Sequence, residues 1–104
     1  MEPVWLMVMF DLPTLTKTQQ RYANRYRNLL KDLGFERVQL SVYAKYYLGS
    51  NAAKTDLAEL QASVPPGGAV RILKSTDTQW ASMIVFLGDK RQDPEEADAP
   101  LDIF

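Results

Sequence analysis

Asp11 is the one carboxylate between Glu2 and Asp32, and it closes an apolar run, Val4-Trp5-Leu6-Met7-Val8-Met9-Phe10, just ahead of Leu12-Pro13. As a turn residue it would hydrogen-bond the backbone two residues on. As a ligand it would offer a hard oxygen donor to magnesium or manganese. A single carboxylate holds magnesium poorly, since the ion usually takes one or two together with waters and substrate phosphates. A two-fold axis near the strand end would bring up Asp11 of a second copy, and an ion gripped by the pair could activate water and neutralise a phosphodiester.

A basic group begins six residues later. Lys17, Arg21 and Arg25 follow at four-residue steps, Arg27 and Lys31 form a second such pair, and no acid interrupts them. Like charges at that spacing repel by a few tenths of a kcal/mol each, so an anion that relieves them is a natural partner. Phosphate suits the planar guanidinium, and a row of such groups would follow a nucleic-acid backbone without reading its sequence. The plainer reading is a solvated outer face. Gln39-Leu40-Ser41-Val42-Tyr43 reads on its own as strand residues with alternating faces.

What is missing narrows the chemistry further. The 104 residues contain no histidine and no cysteine. A Ser-His-Asp triad, imidazole acid-base chemistry, thiolate or histidine metal sites and disulfides are therefore excluded within the chain. No Walker, dinucleotide-binding or EF-hand spacing occurs. The formal charge is −1, but five acids and no Lys or Arg lie in residues 92–104, leaving twelve basic against eight acidic groups in residues 1–91. The body is basic and the tail acidic. The first ten residues lack the basic cluster and cleavage site of a signal peptide, and no run is long enough to span a bilayer, so a cytoplasmic protein with no membrane partner is expected.

The elements that must position these residues follow from pattern. Val4 to Phe10 reads as a strand covered on both faces, with Pro13 enforcing a turn. Thr16-Lys17-Thr18-Gln19 fits a capping box and Gly34 a stop, which predicts a helix over 17–33 with Tyr22, Ala23, Tyr26, Leu29, Leu30 and Leu33 toward the core. Residues 35–48 read as extended with a break near 39–42. A second helix is expected over 52–63, ended by Pro65-Pro66-Gly67-Gly68, then a strand over 69–73, a polar turn over 75–79 and a strand over 80–87. The first six elements follow the order βαββαβ, with the strand over 80–87 after them, an α+β, ferredoxin-like sandwich over residues 1–88, with residues 89–104 as an acidic linker and a C-terminal strand or tail. One sheet face would lack a helical cover. Trp5, Tyr43, Tyr47 and Phe86 are the candidates to occupy it, and a second copy would bury it.

Together these segments resemble the small CRISPR-associated adaptation protein family Cas2, the CRISPR-associated endoribonucleases, in particular members from type II systems, those that contain Cas9. Val8-Met9-Phe10-Asp11-Leu12-Pro13 looks like the family's first-strand signature, and Leu33-Gly34-Phe35 with Gln39-Leu40-Ser41-Val42-Tyr43 like its second. Val70 to Leu73, Thr76-Asp77, Trp80 and Ile84 to Gly88 fit its closing strands. The resemblance implies a homodimer in which Asp11 of both chains approaches a shared magnesium, with manganese as a substitute. It also implies partnership with the CRISPR integrase Cas1 in spacer acquisition, with duplex DNA, or RNA, as the nucleic acid. Arg21, Arg25 and Arg27 fall at the basic positions after the family aspartate, and Lys17 joins them as a nucleic-acid candidate by its place in the helical row. Ser41 matches the serine of the family's Gln-x-Ser-Val signature, where a hydroxyl near the interface would orient water or phosphate. Leu101 to Phe104 resembles the C-terminal strand of type II members. Two functions of different class stay open at this point: a metal-dependent endonuclease with Asp11 as ligand and catalytic residue, and a DNA-binding scaffold that holds integrase dimers apart. A third, a stand-alone ribonuclease toxin of similar fold, is more distant.

Overall fold

The apolar run becomes the centre of the molecule. In the computed structural model, which describes residues 3–88, β1 (Val4–Asp11) lies between β3 (Val42–Tyr47) and β4 (Ala69–Thr76), with β2 (Glu36–Gln39) outside β3. All three pairings are antiparallel and the order is β2-β3-β1-β4. This is the ferredoxin-like βαββαβ order. The helices between the strands are α1 (Lys17–Asp32) and α2 (Ser50–Ala62), and a short α3 (Asp77–Ala81) follows β4.

Alternation along β1 sorts its residues onto two faces. Leu6, Val8 and Phe10 are buried against Ala23, Tyr26 and Leu30 of α1 and Ala53 and Leu60 of α2. Burying each large apolar side chain contributes about 1.5–3 kcal/mol. Trp5, Met7 and Met9 point the other way and are only half-buried. Both long helices thus cover one face; among the described residues the other is covered only in part, by Gln79, Trp80 and Met83, with Trp80 stacked on Trp5 at 4.2 Å.

Helix α1 starts and stops as its sequence predicts. Thr16 Oγ1 accepts from the Gln19 amide at 3.1 Å, while Gln19 Oε1 accepts from the Thr16 amide at 3.0 Å. At the other end Gly34 takes φ of 95°, and the Phe35 and Gly34 amides donate to Leu30 and Lys31. That pairing is a Schellman motif, and the left-handed backbone is why Gly stands there. Past it, Lys45 Nζ donates to the Leu33 carbonyl at 2.6 Å and to Asp56 at 3.0 Å, and Tyr47 OH donates to Asp56 at 2.6 Å. The cluster ties the end of α1 to β3 and α2. Burial first, and the Asp56 carboxylate second, push the Tyr47 phenol far above its ordinary range. Burial alone pushes Tyr26 up to about 12, and its hydroxyl donates to the Leu60 carbonyl at 3.0 Å.

The structure corrects several expectations. Strand β4 extends to Thr76, because all eight residues of β1 pair with it. The turn expected over 75–79 and the strand over 80–87 are replaced by α3 and a segment over 83–88 without regular secondary structure. Thr76 and Gln79 form a second capping box, which starts a helix where a turn was expected. A strand exists only in a ladder, and among the described residues nothing pairs with 83–88. Ile84 to Leu87 are exposed there, Phe86 at 91%. Tyr43 and Tyr47 lie in the core, not on the open face. Strand β3 begins at Val42, which sets the parity of every later residue, and one step flips all faces. Tyr22 is exposed and does not join the core stripe of α1. The second helix begins at Ser50, with Gly49 as its N-cap. The acidic linker and C-terminal strand expected in 89–104 lie outside the described residues.

Candidate nucleic-acid and metal site

Asp11 is the last residue of β1, exposed and opposite Ala69 of β4. Alternation puts it on the open face with Met9 and Met7. The turn reading fails on covalent grounds: the residue two on is Pro13, which has no N–H to donate. Among the described residues the ion pair is Lys45–Asp56, and no donor reaches the Asp11 carboxylate. Within that set the acid reaches the surface without a protein partner.

Two neighbours fix its surroundings. Leu40 and Ser41 link β2 to β3, and Ser41 has φ of 65°. A left-handed backbone at a residue other than Gly costs roughly 1–2 kcal/mol. In return the Ser41 carbonyl accepts the Phe10 amide at 3.1 Å, which extends the hydrogen bonding of β1 to the residue before Asp11. Arg71 was not expected from sequence. It pairs with Met9 while Ala69 pairs with Asp11, so Arg71 and Asp11 are diagonal neighbours on the open face, within reach of a long side chain. A lone arginine in the apolar strand Val70-Arg71-Ile72-Leu73 was the signal available.

Among the described residues no three carboxylates, histidines or cysteines converge. Among those residues Asp11 offers a divalent cation a carboxylate oxygen in an open setting. That donor set fits magnesium as an ion that keeps several waters and takes phosphate oxygens, or a second copy's Asp11, to complete its shell.

Lys17, Arg21 and Arg25 are exposed on α1, on the side away from Ala23, Tyr26 and Leu30. Arg27 leaves this row. It is half-buried, its guanidinium lies 5.8 Å from the centre of the Phe10 ring, and Nη1 donates to Asn24 Oδ1 at 3.2 Å. The structure thus brings Asp11, Ser41 and Arg71 to one end of the sheet. It sets the row Lys17, Arg21 and Arg25 on the outer side of the helical layer, with the sheet between that row and the Asp11 side chain.

Relatives of known family share this chain. Residues 4–83 match the family CRISPR associated protein Cas2. A protein of Paracidovorax avenae named CRISPR-associated endoribonuclease Cas2 is 37% identical over 101 residues, covering 97% of this chain and 94% of that one. A protein of the same name from Parvibaculum lavamentivorans is 37% identical over 102 residues, covering 97% of this chain and all of its own length. Among solved structures, Streptococcus pyogenes Cas2 superposes with a TM-score of 0.63 at 20% identity, covering 81% of this chain and 99% of that one. A second Cas2 crystal structure gives 0.62 at 16% identity, over 88% and 95% of the two chains. At such identities the superposition speaks for the fold. The family match over most of the chain, with relatives more than one third identical along nearly its whole length, makes this chain a member of the CRISPR associated protein Cas2 family.

Proposed function

We propose that this chain acts in CRISPR spacer acquisition as a homodimer that lies along duplex DNA and bridges integrase dimers, and that Asp11 gives it a magnesium-dependent endonuclease activity. The observation that carries the proposal is the outward row Lys17, Arg21 and Arg25, uninterrupted by an acid and unpaired with any carboxylate among the described residues. Such a row attracts phosphate along a backbone and discriminates little between sequences. No helix among the described residues is long and apolar enough to cross a membrane. We place the protein in the cytoplasm, where the integrase and the repeat array would be met.

The nuclease part rests on Asp11 and on the names of the relatives. Magnesium bound there supplies Lewis acidity toward a phosphodiester and lowers the pKa of water, and manganese can replace it. The Asp11 carboxylate would hold the ion. The bond from the Phe10 amide to Ser41 fixes the strand end that carries it, and Arg71 is placed to hold a phosphate oxygen beside it. With no histidine in the chain, imidazole would not be the proton acceptor for the attacking water. The half-buried Trp5, Met7 and Met9 on the open face suit coverage by a second copy, which would bring two Asp11 carboxylates together.

Two measurements test this. Asp11→Ala is expected to abolish divalent-dependent cleavage of RNA or DNA while leaving the fold intact, because the side chain is exposed. Survival of both cleavage and spacer acquisition in that variant would rule out the metal site. Sedimentation at micromolar concentration is expected to show a dimer, and a monomer would remove the shared site.

A further inference from the structure

Beside the basic row lies a groove that the phosphate reading does not use. It runs between α1 and the turn from α2 to β4, has a volume of about 340 Å³, and is lined by Tyr22, Arg25, Leu29, Val64, Pro65 and Pro66, among others. Tyr22 stands at its mouth, exposed, with the Arg25 guanidinium 5.5 Å from the centre of its ring. Tyr22 lies one turn before the buried Tyr26, yet 37% of it stays open at the groove, where its ring faces the Arg25 guanidinium rather than the core.

From this geometry we infer that the groove is a subsite for one unpaired nucleobase, taken from a frayed or single-stranded end of a nucleic acid lying along α1. The inference rests on the phosphate-binding reading of α1 and adds to it a place for a base. An aromatic ring and an arginine plane are the two surfaces on which bases stack, and every base has a π-face to offer. Arg25 serves either way: a base can stack on the guanidinium, or take its place on the Tyr22 ring and leave the guanidinium for the adjacent phosphate. The apolar wall of Val64, Pro65 and Pro66 shields the base from water, and Ser63, which also lines the groove, offers its edge a hydrogen-bonding group. The volume is at the lower end of ligand pockets and suits one nucleoside rather than an extended peptide. Charge complementarity selects the occupant, since Arg21 and Lys17 continue the positive edge about one and two turns away from Arg25.

The experiment compares two probes on the full chain by fluorescence anisotropy: a blunt DNA duplex, and the same duplex with short single-stranded 3′ ends. The wild type is expected to prefer the second. Tyr22→Ala is expected to weaken binding of the overhanging duplex about tenfold, corresponding to ~1.4 kcal/mol for one stacked base, and to leave the blunt duplex within twofold. Tyr22→Phe is expected to keep the preference, and 5-iodouracil in the overhang should crosslink to the peptide containing Tyr22. The inference is overturned if Tyr22→Ala affects both probes equally or neither. It is also overturned if that variant changes the sedimentation coefficient, which would make the groove a contact between protein copies. Lys17→Ala with Arg21→Ala separates the two readings: it should weaken both probes alike and spare the preference for overhangs. If it leaves the blunt duplex untouched while Tyr22→Ala still erases the preference, the backbone reading of α1 falls and the base subsite stands.

Discussion

Replacing Lys17 and Arg21 together by alanine puts a number on the nucleic-acid face. At 1.5 Å per residue, the three cations Lys17, Arg21 and Arg25 span about 12 Å along α1. One strand of a duplex places a phosphate about every 3.4 Å of axis, so that length faces three to four phosphates and permits three contacts per chain. Each contact contributes about 0.9 to the slope of log K against log salt, or about −2.7 for the row, and affinity should fall about 40-fold between 50 and 200 mM salt. With Arg25 alone left, the slope should be about −0.9 and the fall only about 3.5-fold. The substitutions should not disturb the fold, because both side chains are exposed and alanine favours helix. A slight rise in melting temperature is expected, since α1 carries Lys17 and no acid in its first turn, where a cation opposes the helix dipole. The assay is anisotropy of a labelled duplex titrated at several salt concentrations. An unchanged slope would return the row to a solvated face, whatever happened to the affinity at one salt.

Two further expectations concern stability. Tyr26 and Tyr47 keep their protons in the folded state to higher pH than in the unfolded chain. The unfolded chain therefore releases its protons first, so the stability these groups contribute is intact below about pH 10 and declines above it, by up to about 1.4 kcal/mol per pH unit for each tyrosine. For Tyr26 the decline should end near 12. Urea unfolding at pH 9 to 11.5 should show this slope, and Tyr26→Phe should reduce it. Parallel curves would contradict it. Gly68→Ala is expected to cost about 1–3 kcal/mol by overpacking, because a Cβ there would lie 2.7 Å from Leu12 Cδ2 and 3.1 Å from the Pro65 carbonyl oxygen. Leu12 is buried and has little room to yield. A midpoint in urea equal to that of the wild type would show that the turn moves freely.

The parts that could be read from the chain are those whose cause is local. The capping box at Thr16 and Gln19 and the glycine stop at 34 each place an element end by themselves, whereas no Gly or Pro marks the break expected within 39–42, which the structure puts at Leu40-Ser41. Together they give the βαββαβ order and carry Asp11 to a strand end. Thr76-Asp77-Thr78-Gln79 repeats the same capping pattern, so α3 was legible too, but the apolar residues after Trp80 outweighed it. Facing was harder. The parity of β3 depends on the residue at which the chain leaves the Ser41 turn, and that single step decides whether Tyr43 and Tyr47 point to the core or away. Arg71 became part of the site only through its register beside Asp11, which is set by pairing with a strand almost sixty residues away. The groove at Tyr22 needs the turn after α2 to form one wall. No periodicity within α1 announces it.

The central place of β1 also has a consequence in time. As the chain leaves the ribosome, Val4 to Asp11 is made first, yet one of its edges stays bare until Ala69 to Thr76 has emerged. At roughly 5–20 residues per second, that interval lasts several seconds. During it, one of the most apolar stretches of the protein presents an unpaired edge, the kind that other chains add to. β3 arrives earlier and can pair with the opposite edge, and α1 can already cover one face. A pause in translation between α2 and β4 should therefore favour aggregation more than a pause of equal length earlier in the message, even when the finished protein is equally stable.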